Sequence, residues 1–91
     1  MKVFQIKSAA EKGNVKARFV LNQIIGPKKS IYFKNIDDAK SAPLIQQLFY
    51  LPFVKSVSLH EKSLEVERFD ILEWEDVIEE VRVQLENYLN D

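Results

Sequence analysis

His60 is the one histidine in the chain, and there is no cysteine. Those two facts remove most groups that act as nucleophile, base or soft metal ligand near neutral pH. Disulfides, thiol catalysis, zinc fingers and a cysteine-ligated iron–sulfur cluster are excluded on these 91 residues. His60 falls at the tip of an expected hairpin, exposed and with no neighbour to tune it, so it reads as structural. Glu65 and Glu67 lie two apart, which on a strand sets both on one outer face, with Glu61 nearby. Oxygen ligands could hold a cation, but a calcium site needs about six or more of them on a shaped loop. No such loop is present, and a solvated strand face accounts for these carboxylates. Gly13 and Gly26 are the only glycines, too few to build a phosphate cradle. We therefore expect no catalytic residue, no metal site and no cofactor, and no enzyme.

Binding chemistry is better represented. Lys16, Arg18, Lys28, Lys29 and Lys34 form a basic neighbourhood around Tyr32. RNA-binding sheets combine such residues, but the aromatic strand they stack bases on is missing and an acidic second half would repel phosphates. Nucleic acid is not expected. The net charge of −1 conceals two halves. Residues 1–58 carry ten Lys/Arg and three Asp/Glu, a net of +7, and residues 59–91 carry three and eleven, a net of −8. Opposite patches on one molecule can steer a charged protein partner, although they can also simply solvate two sides of a domain. Phe49, Tyr50, Leu51, Pro52 and Phe53 form an apolar knot in which five consecutive residues cannot all point inward. Tyr50 and Phe53 are expected at the surface, where an apolar patch marks a contact site. The candidate partner-binding residues are Lys16, Arg18, Tyr50, Phe53, Glu65 and Glu67.

The elements that must position these residues follow from periodicity. Lys2–Lys7 can be a strand with Phe4 and Ile6 inward, and polar Ser8–Asn14 turns the chain. Val15–Leu21 alternates clearly, with Val15, Ala17, Phe19 and Leu21 on one side and Lys16, Arg18 and Val20 on the other. Asn22–Lys29 is a loop carrying Gly26-Pro27, and Ser30–Lys34 is β-prone, with Ile31 and Phe33 on one side. Asp37 or Asp38 can cap a short turn. Ser41 can cap the helix that follows, with Pro43 in its first turn and Leu44, Ile45, Leu48, Phe49 and Leu51 on one face, and Pro52 ends it. Val57 and Leu59 then face Val66 and Leu64 across a hairpin turning at Glu61-Lys62. A final helix carries Trp74, Val77, Ile78, Val81, Leu85 and Tyr88 on one stripe, with Val83 outside it.

The fold class is α+β, a two-layer sandwich with a mostly antiparallel sheet of four to five strands, two helices on one face, and the order β-β-(β)-α-β-β-α. A length of 91 residues and 46% hydrophobic residues suit one domain, residues 1–91. No run of about 18 apolar residues offers a membrane span. The opening MKVFQIKSAAEKG lacks the character of a signal or transit peptide, so a cytoplasmic protein is expected.

The order and spacing of Ala39, Ser41, Pro43, Leu44, Leu48, Phe49, Val54, Lys55, Ser56, Val57 and Trp74 resemble the N-terminal domain of Nfu/NifU-type iron–sulfur cluster scaffold proteins. The resemblance covers roughly Asn35 to Leu89. Phe53 departs from the pattern, which usually has glycine before this valine. In that family the metal-binding cysteines lie in a separate C-terminal domain with a C-x-x-C motif. The resemblance implies the same fold and an accessory, non-enzymatic role: docking to an iron–sulfur scaffold or client protein, with no cluster ligands on this domain. The alternatives are a small homo-oligomer of unrelated structural or regulatory role, joined through the Tyr50/Phe53 region or an edge strand, and a small-ligand binder using Lys16, Arg18 and the outer carboxylates.

Overall fold

The computed structural model describes residues 3–90. The chain forms β1 (Ile6–Ala10), β2 (Lys16–Leu21), β3 (Ile31–Phe33), a 3-10 turn (Ile36–Ala39), α1 (Pro43–Phe49), β4 (Val54–His60), β5 (Ser63–Arg68) and α2 (Trp74–Asn90). The strands make one sheet in the order β1-β2-β5-β4-β3, and every neighbouring pair is antiparallel. The α+β architecture and element order are as the sequence predicts.

Period-two alternation decides which face is covered. Ala17, Phe19 and Leu21 of β2, Leu64 and Val66 of β5, and Val57 and Leu59 of β4 are buried against Ile45 and Leu48 of α1 and Trp74, Val77, Val81 and Leu85 of α2. Each such Leu, Val or Phe stabilises the fold by about 1.5–3 kcal/mol, so a one-residue slip that turned them outward would be very costly. The β4–β5 hairpin keeps the expected register, Val57 opposite Val66 and Leu59 opposite Leu64. Its turn places Glu61 at φ 50°, in the left-handed region. The Gly26-Pro27 loop closes over this turn. Gly26 donates to the Glu61 carbonyl at 3.0 Å, and a Cβ there would come within 2.6 Å of the Leu59 side chain.

The departures from expectation are local. The first strand runs over Ile6–Ala10 and not Lys2–Lys7, whose Lys2 lies outside the described residues. Ile6 is buried and Phe4 half-buried, as expected, but β2 recruits partners as far as Ala10, whose small side chain lies opposite Ala17. Gly13, at φ 82°, makes the shorter turn possible. Ser41 does not cap α1. Ala42 occupies the cap position in a non-helical conformation (φ -128°, ψ 81°), in keeping with the proline that follows it, and no side chain bonds there. The 3-10 turn is capped by Asn35, whose side chain accepts the Asp38 N–H at 3.0 Å, and not by Asp37 or Asp38. Leu51 lies beyond the end of α1 and is half-buried. Ile31 is exposed although Phe33, on the same side of the edge strand, is buried. Tyr88 is exposed, and Leu89, four residues after Leu85, packs against the core in its place.

Candidate functional site

The face of the sheet turned away from the helices has no covering layer among the described residues, and the strand register arranges its side chains in rows. Arg18 stands opposite Glu65, Glu65 opposite Ser58, and Ser58 opposite Tyr32. The next row sets Lys16 opposite Glu67 and Glu67 opposite Ser56. Lys16 Nζ lies 3.8 Å from Glu65 Oε1, a diagonal pair, and Ser56 Oγ donates to Glu67 Oε1 at 2.9 Å. Exposed ion pairs of this kind contribute about 0–1 kcal/mol. Their effect on stability is small, and their charge stays available to a partner.

Ser56 is buried although it stands in this outer row. The pairing shifts between Val54 and Ser56, leaving Lys55 as an extra, exposed residue, and the local kink tucks Ser56 beneath Glu67. His60 is only half-exposed, and it does have a neighbour: Nε2 lies 3.4 Å from Glu61 Oε1. Two shallow depressions flank the Arg18–Glu65 pair. One, of about 260 Å³, is lined by Ser30, Ser58, His60 and Ser63, and the other, of about 310 Å³, by Ala9, Asn14 and Lys16.

Of the six candidate contact residues, the fold brings together Lys16, Arg18, Glu65 and Glu67. Tyr50 is exposed, as expected, but sits at the C-terminal end of α1 in the other layer. Phe53 is a correction. It is 3% exposed and packs edge-on against Trp74 with ring centroids 6.1 Å apart, and Phe19 meets Trp74 at the same separation. The indole thus fills a cleft between two rings and draws Phe53 into the core. The basic neighbourhood is also divided. Tyr32 and Arg18 share a row but lie three strand spacings apart, about 14 Å, so a base stacked on one would not reach the other.

Sequence reasoning missed Arg68. It continues the inward parity of Leu64 and Val66, and that parity was the available signal. The side chain is 1% exposed. Its guanidinium donates to the Phe69 carbonyl at 3.2 Å and the Asn14 carbonyl at 3.4 Å, and pairs with Glu73 at 3.2 Å. The Val15 carbonyl accepts both the Arg68 N–H and Trp74 Nε1–H at 2.9 Å. These bonds fasten the β1–β2 turn to the start of α2.

The model of the family described as "Scaffold protein Nfu/NifU N terminal" matches residues 7–91. The chain belongs to the Nfu/NifU N-terminal family. It is therefore related to iron–sulfur cluster scaffold proteins, and the family is of scaffold type. The match extends through the first hairpin, well beyond the segment whose residues carry the resemblance in sequence. A crystal structure of protein SAV1430 from Staphylococcus aureus is similar to this Nfu/NifU-type chain in fold. Its TM-score is 0.72 at 20% identity, over 94% of this chain and 100% of that one. No curated protein matches the chain. An iron–sulfur cluster is the group this family handles, and the donors here do not suit it. The chain has no cysteine, and no three of His, Asp or Glu converge on one point among the described residues. No helix of the described residues is long and apolar enough to cross a membrane.

Proposed function

We propose that the chain is a non-enzymatic accessory domain of iron–sulfur cluster assembly or maintenance, acting in the cytoplasm as one Nfu N-terminal-like domain over residues 1–91. It docks to an iron–sulfur scaffold or client protein through the open sheet face. The observation that most supports this reading is the pair of adjoining rows, Arg18 with Glu65 and Lys16 with Glu67, on that uncovered face. Both signs of charge stand at fixed spacing on a rigid sheet. Such a surface orients a complementary partner and raises the encounter rate more than it raises affinity. Cluster chemistry belongs to the partner, since this chain supplies no thiolate. Tyr50 adds a separate exposed aromatic on the helix layer.

The test is retention of proteins from native extract by the tagged full chain, under anaerobic conditions, at low and high salt. Recovery of an iron–sulfur scaffold or client at low salt, with loss at high salt, is expected if the charged face makes the contact. Recovery of no such protein at either salt contradicts the accessory role. Retention that is indifferent to salt assigns the contact to Tyr50 and its surroundings.

A small-ligand reading draws on the two depressions beside Arg18 and Glu65. Their volumes, about 260 and 310 Å³, lie below and at the lower limit of the range for ligand sites, about 300–1,000 Å³. The first is lined mostly by polar surface and the second about evenly, whereas ligand sites are mostly apolar with a few polar groups. The docking reading accounts for the face better.

A further inference from the structure

β1 is an edge strand, and its hydrogen bonding shows which of its backbone groups are free. Gln5, just before it, donates its N–H to Asn22 Oδ1 at 3.1 Å and accepts the Asn22 N–H at 3.2 Å. Gln5 therefore turns both backbone groups toward β2. In an antiparallel pair this direction alternates, so Lys7 and Ala9 also face β2, while Phe4, Ile6, Ser8 and Ala10 face outward. Phe4 confirms the parity. Its N–H donates to Asn90 Oδ1 at 2.8 Å and its carbonyl accepts Asn90 Nδ2–H at 3.2 Å, so the last residue of α2 stands in for a neighbouring strand. Among the described residues no group does the same for Ile6, Ser8 or Ala10.

A groove runs beside this free edge. It lies between the end of β1 and the first turns of α2, holds about 220 Å³, and is lined by Ala10, Lys12, Glu73, Trp74, Glu75 and Ile78, with Glu11 at its rim. Ser8 and Ala10 share the parity of buried Ile6, and the small side chain of Ala10, the one β1 residue that lines the groove, leaves space beside the start of α2. A cavity of about 150 Å³ lined by apolar side chains holds a benzene ring, so this groove has room for one Leu or Phe side chain. Three of its charged residues are carboxylates and one is a lysine; Glu73 is already paired with Arg68, so Glu11 and Glu75 supply the acidic rim.

We propose that β1 binds an extended, lysine- or arginine-flanked segment of a partner protein as a sixth strand, with one apolar side chain of that segment seated in the groove against α2. Backbone bonds to Ile6, Ser8 and Ala10 supply affinity, and the groove selects the side chain, as in other strand-addition recognition. The acidic rim selects the flanking charge. A second copy of this chain is the poorer occupant. Antiparallel β1–β1 pairing keeps both helix layers on one side and brings two grooves lined by Glu11 and Glu75 toward each other, with no basic flanking segment to match them. The inference concerns a different surface from the open face and does not depend on what docks there.

The probe is the acetylated, amidated heptapeptide Lys-Thr-Val-Leu-Val-Thr-Lys, added at millimolar concentration to the full chain while amide hydrogen exchange is followed by NMR. In the free protein the Ser8 and Ala10 amides should exchange fast, and those of Lys7 and Ala9 slowly. The peptide should slow Ser8 and Ala10 by about tenfold or more and leave Lys7 and Ala9 unchanged. Ala10→Leu, which fills the groove, should weaken peptide binding about fivefold or more at an unchanged unfolding midpoint, and a glutamate-flanked peptide should bind about tenfold more weakly. Slow exchange at Ser8 and Ala10 in the free protein would overturn the proposal, as would no added protection with peptide. Protection that rises with protein concentration alone would overturn it in favour of self-pairing.

Discussion

On β2, Ala17, Phe19 and Leu21 lie buried beneath the helices, while Lys16, Arg18 and Val20, each one residue away, meet solvent. The same division runs through β5, where Leu64 and Val66 are covered and Glu65 is exposed. The covered face is held by packing that depends on shape, with Trp74 wedged between Phe19 and Phe53. The open face is held in place by the same backbone but adds little stability of its own, since its ion pairs are solvated. Stability and recognition are thus carried by alternate residues of the same strands. Substitutions on the two faces should separate cleanly in their effects.

The largest effect is expected at the wedge. Trp74→Ala should lower unfolding free energy by about 3–5 kcal/mol, read from urea denaturation, because it removes the contacts of two rings and the bond to Val15 together. A loss below about 1 kcal/mol would mean that the core closes without the indole. Arg68→Met tests the one charge that belongs to the covered face. It should cost about 1–3 kcal/mol, because the Asn14 and Phe69 carbonyls lose their donor while most of the volume is kept. A neutral result would make Arg68 a space-filling residue. Next, Lys16→Gln combined with Arg18→Gln, which removes the positive charges without setting carboxylates opposite Glu65 and Glu67, should change stability by no more than about 1 kcal/mol. A larger loss would break the division between the faces.

The smallest effect concerns α2's outer surface. The Glu79 carboxyl is held below the ordinary glutamate range, chiefly by the hydrogen bond from Arg82 and further by that guanidinium's charge, against some desolvation. A carboxyl with a lowered folded pKa contributes stability above its unfolded pKa and loses it as pH falls through the folded value. Carboxyl-detected NMR titration should place the Glu79 midpoint below that of a free glutamate, and Arg82→Gln should raise it.

How much the sequence discloses varies with the kind of signal. Strong alternation over Val15–Leu21 and around Glu61-Lys62 specifies the β4–β5 hairpin and the outward parity of Lys16, Arg18, Glu65 and Glu67, but the placement of β2 beside β5, which unites the four on one face, is a long-range pairing that periodicity does not disclose. The start of the first strand is less legible. KVFQIKSAA contains two overlapping β-prone stretches, and only the register imposed by β2 chooses Ile6–Ala10. Crowding in FYLPF shows that its five residues cannot all point inward without showing which do; of the two expected at the surface, Tyr50 is exposed, and Phe53 is buried because Trp74, distant in sequence, packs against it. Arg68 was overlooked because its type contradicts its parity, and a buried arginine is understood only once its carbonyl partners come from Asn14, distant in sequence. The free edge of β1 leaves no trace in composition, since it depends on which way each amide points.

The measurement that bears most directly on the central claim compares two tagged full-length chains in anaerobic extract at low salt: the natural sequence and the Lys16→Gln, Arg18→Gln variant. Both are first shown to unfold at the same urea concentration. The natural chain should retain an iron–sulfur scaffold or client protein and the variant should lose it. Equal retention by both would contradict the assignment of docking to the open face, and retention by neither would contradict the accessory role itself.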